Sequence, residues 1–509
     1  MIATFYRSYL LEITVFVCGA LVMIFEIIGS RLVSPFIGAS TYVWTSLIGI
    51  ILGALSLGYW LGGRLADRRP DPKLLASVIL TASGLIAFTI LIKDIVLSAV
   101  ASAQVGLEIK AVAVSILLFG PASVCLGIVT PFAVRLKMTS VDTTGSTVGR
   151  LYALSTIGSI AGTFAAGFFL IPFVGSVRTL YLITVSLLLL ALLLAPFAFA
   201  ARNIAAGTLL VLGIAASEAG IYLLRENSDL HDFDTEYSRV QVFKSKDPET
   251  GRPIRALATD PYFVQSAAFI DSDELVLGYS RFYHLIRHFR PAFEKTLIIG
   301  GAGYSFPKEY LKVYPAAHLD VAEIDPKMTA IARRFFGLKD DPRMTIIHED
   351  ARMYINRADS KQYDAVLMDA FGSLFSVPHH LTTVEAVREL SRILKDDGVV
   401  IFNLGSAITG PSSGFLQAEM RTYMEVFPQV YLFKVREEYS DDRLQNLMIV
   451  GSKASRPATM TSADPQIADL LTRKYPARVQ LEKDILTDDL APVEYYNSIA
   501  QNLYLTNPR

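Results

Sequence analysis

Residues 296–325 read TLIIGGAGYSFPKEYLKVYPAAHLDVAEID, and this stretch decides how the second half of the chain folds. A short apolar run stops at a turn that contains Gly300, Gly301 and Gly303, and a helix-like segment then leads to a second apolar run that ends on Glu323. A strand, a glycine turn, a helix and a strand that ends in an acid are typical of a nucleotide-binding βαβ unit. Glycines let the backbone approach the ligand closely, and the acid accepts hydrogen bonds from both ribose hydroxyls. Because the full G-x-G-x-x-G pattern is absent, an ordinary βαβ turn is the alternative.

The composition indicates a membrane half followed by a soluble half. The 509 residues are 52% hydrophobic and 19% charged, with a mean hydropathy of +0.40, which is more apolar than an ordinary soluble enzyme. Nearly all long apolar runs precede Leu224, and the charges concentrate after it. We therefore predict a transmembrane helical domain over 1–224, a linker and small β-hairpin lobe over 225–275, and a Rossmann-like domain over 276–509.

Seven apolar segments of the first half approach or reach the length that crosses a bilayer, which is about 17–25 residues. They are residues 13–28, 42–61, 74–92, 111–129, 151–172, 180–197 and 204–223. Small residues recur at helical spacing, with Gly58 and Gly62 in the second segment and Gly158, Gly162 and Ala166 in the fifth. This spacing lets helices pack closely in lipid, so we predict a bundle in contact with membrane lipid.

Two arguments conflict about the orientation of this bundle. The positive-inside rule favours a cytoplasmic N-terminus, and seven spans would then place the soluble half outside. A nucleotide-type ligand favours the cytosol. We follow the ligand and predict a multi-pass protein of the inner (plasma) membrane with a cytoplasmic catalytic domain. Either one span is then miscounted, with residues 94–106 as the candidate short or re-entrant segment, or the charge rule fails here. Within the first span, Glu26 is predicted to contact Arg31, with a substrate pathway or lipid-headgroup site as the alternative.

Charge and cysteine content exclude other classes of function. The net charge of −1 predicts no basic surface for nucleic acid. Cys18 and Cys125 both lie in apolar runs, and the sequence has no Cys/His spacing of a metal site, so we predict neither a disulfide framework nor a bound metal. No prediction of the oligomeric state follows from the sequence.

The second half alternates short buried-type strands with helical stretches, which predicts a mostly parallel, doubly wound Rossmann-like sheet. Strands are predicted at 297–299, 345–347, 365–368 and 399–402, with a final pair at 430–434 and 447–451 and a helix at 466–475. Alternating runs at 239–243 and 254–258, separated by the turn at 247–251, predict the small β-hairpin lobe.

On these residues, the soluble half resembles the spermidine synthase family of aminopropyltransferases, in particular its membrane-fused branch. The resemblance covers residues 236–403, and GGRLADR at 62–68 and TDDLAPVE at 487–494 are similar to that branch. It implies a small β lobe before a Rossmann-like domain and a small-molecule adenosyl substrate. That substrate is S-adenosylmethionine (SAM) or decarboxylated SAM, from which attack on the carbon γ to sulfur expels 5'-methylthioadenosine.

The resemblance also implies roles for single residues of the ligand site. Gln265 matches a glutamine near the substrate, Gly300 and Gly301 match the glycine loop, Glu323 matches the ribose-binding acid and Asp350 matches the acid that binds the adenine amine. For Asp350, a helix N-cap is the alternative.

For the chemistry, Asp369 matches the first aspartate of the catalytic D-x-x-D, and Tyr283 and His284 match the start of Tyr-His-Glu. We therefore predict these three as catalytic residues, with Asp369 also binding the substrate. A strand-end cap is the alternative for Asp369, and packing of a helix against the sheet is the alternative for Tyr283 and His284.

Departures from the family pattern change the predicted reaction. The family aspartate that holds the amino group of decarboxylated SAM is replaced here by Gly303, which we still predict to contact the ligand. The second aspartate of D-x-x-D is replaced by Gly372, and the glutamate of Tyr-His-Glu is replaced by Leu285. The carboxylates that would bind ammonium groups are thus missing, while a glycine removes a charge that would repel the carboxylate of full SAM. That carboxylate can itself reach the γ-carbon, so we predict a SAM lyase that forms homoserine lactone.

Three alternatives remain open. They are a polyamine aminopropyltransferase that uses decarboxylated SAM and putrescine, a SAM-dependent methyltransferase that acts on a lipid or quinone, and a transporter or sensor that binds a nucleotide without chemistry. Near the site, His379 and His380 follow a predicted gate loop at 371–378 and would be a base, metal ligands or simply polar loop residues. The aromatic residues Tyr304, Phe371 and Phe375 would cover the adenosine or pack in the core.

Overall fold

The computed structural model describes residues 2–38, 40–138, 140, 143–195, 200–259, 263–370 and 377–506. The chain divides into two compact units, residues 1–239 and 240–509. The helices of the first unit are α1 (Ile2–Ile37), α2 (Thr41–Arg68), α3 (Pro72–Ser102), α4 (Leu107–Val114), α5 (Gly120–Lys137), α6 (Thr144–Ala165), α7 (Ser176–Leu194) and α8 (Ala200–Ser228). A π-helical segment joins α4 to α5 (Ser115–Phe119), and another extends α6 (Ala166–Val174).

Six helices within the described part of the chain are long and apolar enough to cross a membrane. They are Tyr9–Ile37, Thr41–Arg68, Pro72–Ser102, Leu107–Lys137, Thr144–Val174 and Ser176–Leu194. The seventh predicted segment falls within α8, whose apolar described part is the shorter Gly207–Gly220. The prediction that residues 94–106 form a short or re-entrant segment is wrong, because α3 continues as a regular helix to Ser102.

The small residues of the first unit lie where helices touch. A Cβ atom placed on Gly58 of α2 would lie 2.3 Å from the carbonyl oxygen of Val124 in α5, and one placed on Gly158 of α6 would lie 2.0 Å from that of Phe16 in α1. Cβ atoms at Gly62 and Gly162 would likewise lie 2.8 and 2.3 Å from backbone oxygens of the facing helices. The predicted close packing of helices is therefore confirmed.

The second unit begins with a small antiparallel sheet. Strand β1 (His231–Asp234) closes the first unit, and β2 (Arg239–Lys246), β3 (Pro253–Ala258) and β4 (Ser266–Phe269) follow. Strand β2 pairs with β3 and β3 with β4, both antiparallel, and the turn after β2 is held by Asp247, whose carboxylate accepts a hydrogen bond from the Thr250 N–H at 3.0 Å. The lobe is thus a hairpin extended by one strand.

A seven-stranded sheet forms the centre of the second unit, with helices around it. Its strands are β5 (Lys295–Ile299), β6 (His318–Ala322), β7 (Met344–Ile347), β8 (Tyr363–Met368), β9 (Leu394–Ser406), β10 (Gln429–Lys434) and β11 (Gln445–Ser452). The helices are α9 (Ile286–Phe289), α10 (Ser305–Val313), α11 (Pro326–Phe335), α12 (Ala351–Arg357), α13 (Val384–Ile393), α14 (Gly414–Met424), α15 (Pro465–Thr472) and α16 (Val493–Thr506).

The strand order is β10-β11-β9-β8-β5-β6-β7, in which β5 to β9 run parallel and β10 and β11 antiparallel. The mostly parallel, doubly wound Rossmann-like fold is therefore confirmed. Strand β5 lies between β6 and β8, so the strand order reverses there. In such sheets ligands bind outside the carboxyl ends of the strands at this reversal, and Gly300, Glu323 and Asp369 each directly follow one of these three strands.

Candidate active site

The glycine turn after β5 requires its glycines. Gly300 has φ +95°, and a Cβ atom there would lie 2.3 Å from the carbonyl oxygen of Asp369 on the neighbouring strand end. The non-glycine residues Ala302 and Tyr304 also have positive φ, at 43° and 52°. A backbone this tightly curved directs its N–H groups toward the inside of the turn, where the carboxylate of an acid can accept hydrogen bonds from them.

Glu323 is that acid. One carboxylate oxygen accepts hydrogen bonds from the N–H groups of Gly301 at 2.9 Å and Ala302 at 3.1 Å, and the other accepts one from Asp325 N–H at 2.9 Å. The side chain is buried, and burial raises the pKa of Glu323 above its ordinary value, although these three hydrogen bonds oppose the shift. The acid after β6 therefore holds the glycine turn in shape.

A cavity of about 1090 Å³ opens beside this turn. Of the predicted ligand residues, Gln265, Gly300 and Gly301 line it, together with the predicted catalytic residues Tyr283 and Asp369. Among the described residues, Gly303, Glu323, Asp350 and His284 are not part of its lining. Glu323 reaches the cavity only through the backbone of the turn that it supports.

Asp369 lies in the wall of this cavity and is held by neutral donors. Its carboxylate accepts hydrogen bonds from the Tyr279 hydroxyl at 3.2 Å and from Nδ2 of Asn403 at 3.1 Å, and the oxygen of the Asn403 amide accepts one from Asn446 at 3.0 Å. Burial raises the pKa of Asp369 to about 6, and the hydrogen bonds from Asn403 and Tyr279 act in the opposite direction. The cavity thus contains a fixed carboxylate that is easier to protonate than a surface one.

Two tyrosines bring hydroxyl groups to Asp369. Tyr283 is buried and donates a hydrogen bond to the carbonyl oxygen of Met368 at 3.2 Å, and its ring meets that of Tyr279 edge-on. Burial, followed by the charge of Asp369, raises the pKa of both phenols well above the ordinary value, so both remain neutral donors at physiological pH.

Two of the other predicted site residues, His284 and Asp350, lie outside the lining of the cavity. The buried His284 contacts the Tyr314 hydroxyl through Nδ1 at 2.6 Å and packs against Phe306, and burial followed by the charge of Arg287 lowers the pKa of this histidine to about 4. Asp350 caps α12, where its carboxylate accepts from the N–H groups of Arg352 and Met353, and it also contacts His380 at 3.2 Å.

The residues that replace the family's acids are accounted for by their surroundings in this structure. At Gly303, a Cβ atom would lie 2.4 Å from Oγ of Ser266, so the neighbouring lobe fills the space of a side chain. Leu285 is fully buried in the core. Tyr304 is also buried and contacts the Thr329 hydroxyl at 2.8 Å, so it packs in the core. Gly372, Phe371 and Phe375 lie outside the described residues.

Sequence reasoning missed Tyr279, Asn403 and Asn446. Asn403 sits near the carboxyl end of the buried strand β9, and a polar residue in such a place is the signal that would have indicated it. Within the described residues, no group of three or more His, Cys, Asp or Glu side chains is placed to hold a metal ion.

Comparison with known proteins places this geometry in a family. The sequence pattern of the spermine/spermidine synthase domain matches residues 277–444. The chain is 30% identical over 286 residues to a polyamine aminopropyltransferase of Vibrio vulnificus (strain CMCP6), covering 53% of this chain and 92% of that protein. The chain therefore belongs to the spermine/spermidine synthase family of polyamine aminopropyltransferases.

Further similarities extend beyond the domain. Polyamine aminopropyltransferase 1 of Streptomyces coelicolor is 25% identical over 433 residues, which cover 80% of this chain and 77% of that protein. A probable spermidine synthase from Corynebacterium glutamicum aligns in structure with a TM-score of 0.41 and 22% identity, covering 48% of this chain and 85% of that one.

Proposed function

We propose that this chain binds an adenosyl sulfonium in the cavity beside the glycine turn and breaks its sulfur–Cγ bond to release 5'-methylthioadenosine. The favoured reaction is the cleavage of SAM itself. A carboxylate oxygen of SAM attacks its own Cγ and forms the C–O bond of homoserine lactone, while the Cγ–S electron pair returns to sulfur. The positive sulfonium becomes a neutral thioether, and no proton is transferred.

The distribution of carboxylates around the cavity carries the proposal. Its described lining contains the carboxylates of Asp369, Glu438 and Asp442. Glu438 pairs with Arg436 at 3.6 Å, and Asp442 accepts a hydrogen bond from the Ser440 hydroxyl at 2.6 Å. Putrescine is a dication, and each lost charge-assisted hydrogen bond costs about 1.5–3 kcal/mol. Glu438 and Asp442 are exposed, so Asp369 is the carboxylate of the three that is partly buried among neutral donors. One such carboxylate suits the single α-ammonium group of SAM better than it suits a polyamine.

In this mechanism the residues orient the substrate and do not exchange protons with it. Asp369 binds the α-ammonium group, and Tyr279 and Asn403 fix the direction of its carboxylate. The glycine turn, held in shape by Glu323, contacts the ribose side of the adenosyl group. The predicted contact of Asp350 with the adenine requires the adenine to extend beyond the described lining of the cavity. An intramolecular attack depends on such orientation. Holding the reacting atoms in place can lower the activation barrier by several kcal/mol, about 7 or more in favourable cases.

Product analysis tests the proposal directly. The purified full chain is incubated with SAM alone, and separately with decarboxylated SAM and putrescine, and the products are followed by mass spectrometry. We expect methylthioadenosine and homoserine lactone from SAM alone. Methylthioadenosine that appears only when putrescine is present would overturn the lyase.

Aminopropyl transfer is the second candidate, and its support is the family to which the chain belongs. In that reaction a neutral amine nitrogen attacks Cγ of decarboxylated SAM, the new C–N bond replaces the C–S bond, and the nitrogen loses a proton. Asp369 would receive this proton, and a carboxyl whose pKa is about 6 is a competent acceptor. A lipid or quinone methyltransferase would instead yield S-adenosylhomocysteine in the same assay, and a transporter or sensor would yield no product.

A further inference from the structure

An arginine lines the same cavity without an acidic partner in the described chain. Arg443 lies in the connection between β10 and β11, and its guanidinium carbon stacks 3.8 Å from the centroid of the Tyr439 ring. Within the described residues, no carboxylate oxygen approaches this guanidinium within 4.0 Å. Stacking on an aromatic face holds the side chain in place while its N–H groups stay available.

The other arginine of the lining is in a different situation. Arg436 forms ion pairs with both Glu249 and Glu438. Its charge is therefore compensated within the protein, whereas that of Arg443 is available to a ligand. Of the two cations in the described lining, Arg443 is the one suited to an anionic group.

Hydrogen bonds connect the position of Arg443 to Asp369. Arg443 precedes Asn446 by three residues, and an extended chain of that length spans at most about 11 Å. The Asn446 amide donates to Asn403, and Asn403 donates to Asp369, at 3.0 and 3.1 Å. An acid and a cation thus line one cavity, and the segment that carries the cation is tied to the acid through these two amides.

We infer that Arg443 determines substrate specificity by binding the α-carboxylate of SAM while Asp369 binds the α-ammonium group. The inference rests on the proposed adenosyl site and adds how full SAM is distinguished from its decarboxylated form. A guanidinium that donates to one carboxylate oxygen leaves the other oxygen available to attack Cγ. Decarboxylated SAM has no group for Arg443 to bind.

Calorimetry on the detergent-solubilised full chain tests this inference. Arg443→Gln is compared with the wild type for SAM, decarboxylated SAM and methylthioadenosine, which lacks the tail. We expect the affinity for SAM to fall by about tenfold or more, as for the loss of one charge-assisted hydrogen bond, and the other two affinities to stay unchanged. Arg421→Gln, a control on α14 that removes the same charge outside the described lining, should leave all three affinities unchanged.

Unchanged SAM binding in Arg443→Gln, or an equal loss for all three ligands, would overturn the inference. If Arg443→Gln does not fold, Arg443→Lys keeps the charge and should retain a preference for SAM; loss of that preference in a folded Arg443→Lys also counts against the inference. The two proposals fail separately. Arg443-dependent SAM binding without methylthioadenosine release would leave only this inference standing, and release that is unaffected by Arg443→Gln would leave only the lyase.

Discussion

At the scale of single residues, Asp369 is the group on which the proposed chemistry depends. Asp369→Asn keeps the shape of the side chain and its contact with Asn403 but removes the negative charge. We expect the affinity for SAM to fall by about 10- to 100-fold, from a loss of about 1.5–3 kcal/mol, while methylthioadenosine binds as before. Calorimetry with the two ligands checks this, and equal losses for both would indicate a structural defect instead.

The raised pKa of Asp369 also predicts a pH dependence. Burial shifts this pKa to about 6, so the carboxylate that we propose to bind the ammonium group forms only as the pH rises through that value. Methylthioadenosine release should therefore increase between about pH 5 and 7 and level off above, since protonation below the pKa removes the charge. Rates measured from pH 5 to 8 check the prediction, and Asp369→Asn should lose the inflection near pH 6.

Some of these residues could be predicted from the sequence and others could not. Gly300, Glu323 and Asp369 each follow an apolar strand, and parallel strands bring their carboxyl ends to one edge. The contacts of Asp369 with Tyr279 and Asn403 depend on packing between segments 90 and 34 residues away, which local pattern does not encode. His284 shows the opposite case, because a motif position that resembles a catalytic one lies buried against Tyr314 and Phe306, outside the lining of the cavity.

At the scale of elements, the glycine turn provides a matched pair of substitutions. Gly300 and Gly337 both have positive φ, at 95° and 67°, but a Cβ atom at Gly337 would meet nothing within 4 Å. We expect Gly337→Ala to cost about 1–2 kcal/mol from the left-handed backbone alone. Gly300→Ala should cost more and weaken adenosyl binding, because its Cβ collides with the Asp369 backbone. Thermal unfolding and calorimetry distinguish the two variants, and similar behaviour would contradict the steric argument.

Helix α2 offers a second pair. Gly58 packs against the backbone of α5, whereas Gly53 on the same helix has open space where a Cβ would lie. We expect Gly58→Ile to destabilise the protein by about 1–3 kcal/mol or more through overpacking, and Gly53→Ile to change stability by less than about 0.5 kcal/mol. Unfolding in detergent checks this, and equal shifts for the two variants would show that the α2–α5 contact is not tight.

The sequence could predict the elements better than their arrangement. Strands at 430–434 and 447–451 were expected as a final pair, and they form β10 and β11. Their alternating pattern does not predict that β11 lies between β10 and β9. The antiparallel pairing of β11 with β9 places Asn446 next to Asn403. The long-range strand order thus determines which residues support Asp369 from behind, here Asn403 and Asn446.

At the scale of the whole molecule, we predict on which side of the membrane the second unit lies. Six helices of the described chain have the length and composition of membrane spans. We propose a multi-pass protein of the inner membrane whose second unit lies in the cytosol, where adenosyl substrates are made. Fluorescent-protein and alkaline-phosphatase fusions at the C-terminus check this: fluorescence without phosphatase activity is expected, and the reverse result would favour the outward orientation given by seven spans.

The hydrogen bonds of Glu323 have a consequence for how tolerance to mutation should be interpreted. The carboxylate that we propose to bind a sugar also accepts hydrogen bonds from two N–H groups of the glycine turn and from the N–H of Asp325. A screen that scores only expression or heat resistance should therefore reject substitutions at this position, even in cells that never supply the substrate. Intolerance there would therefore report the support of the glycine turn and would not by itself demonstrate sugar binding.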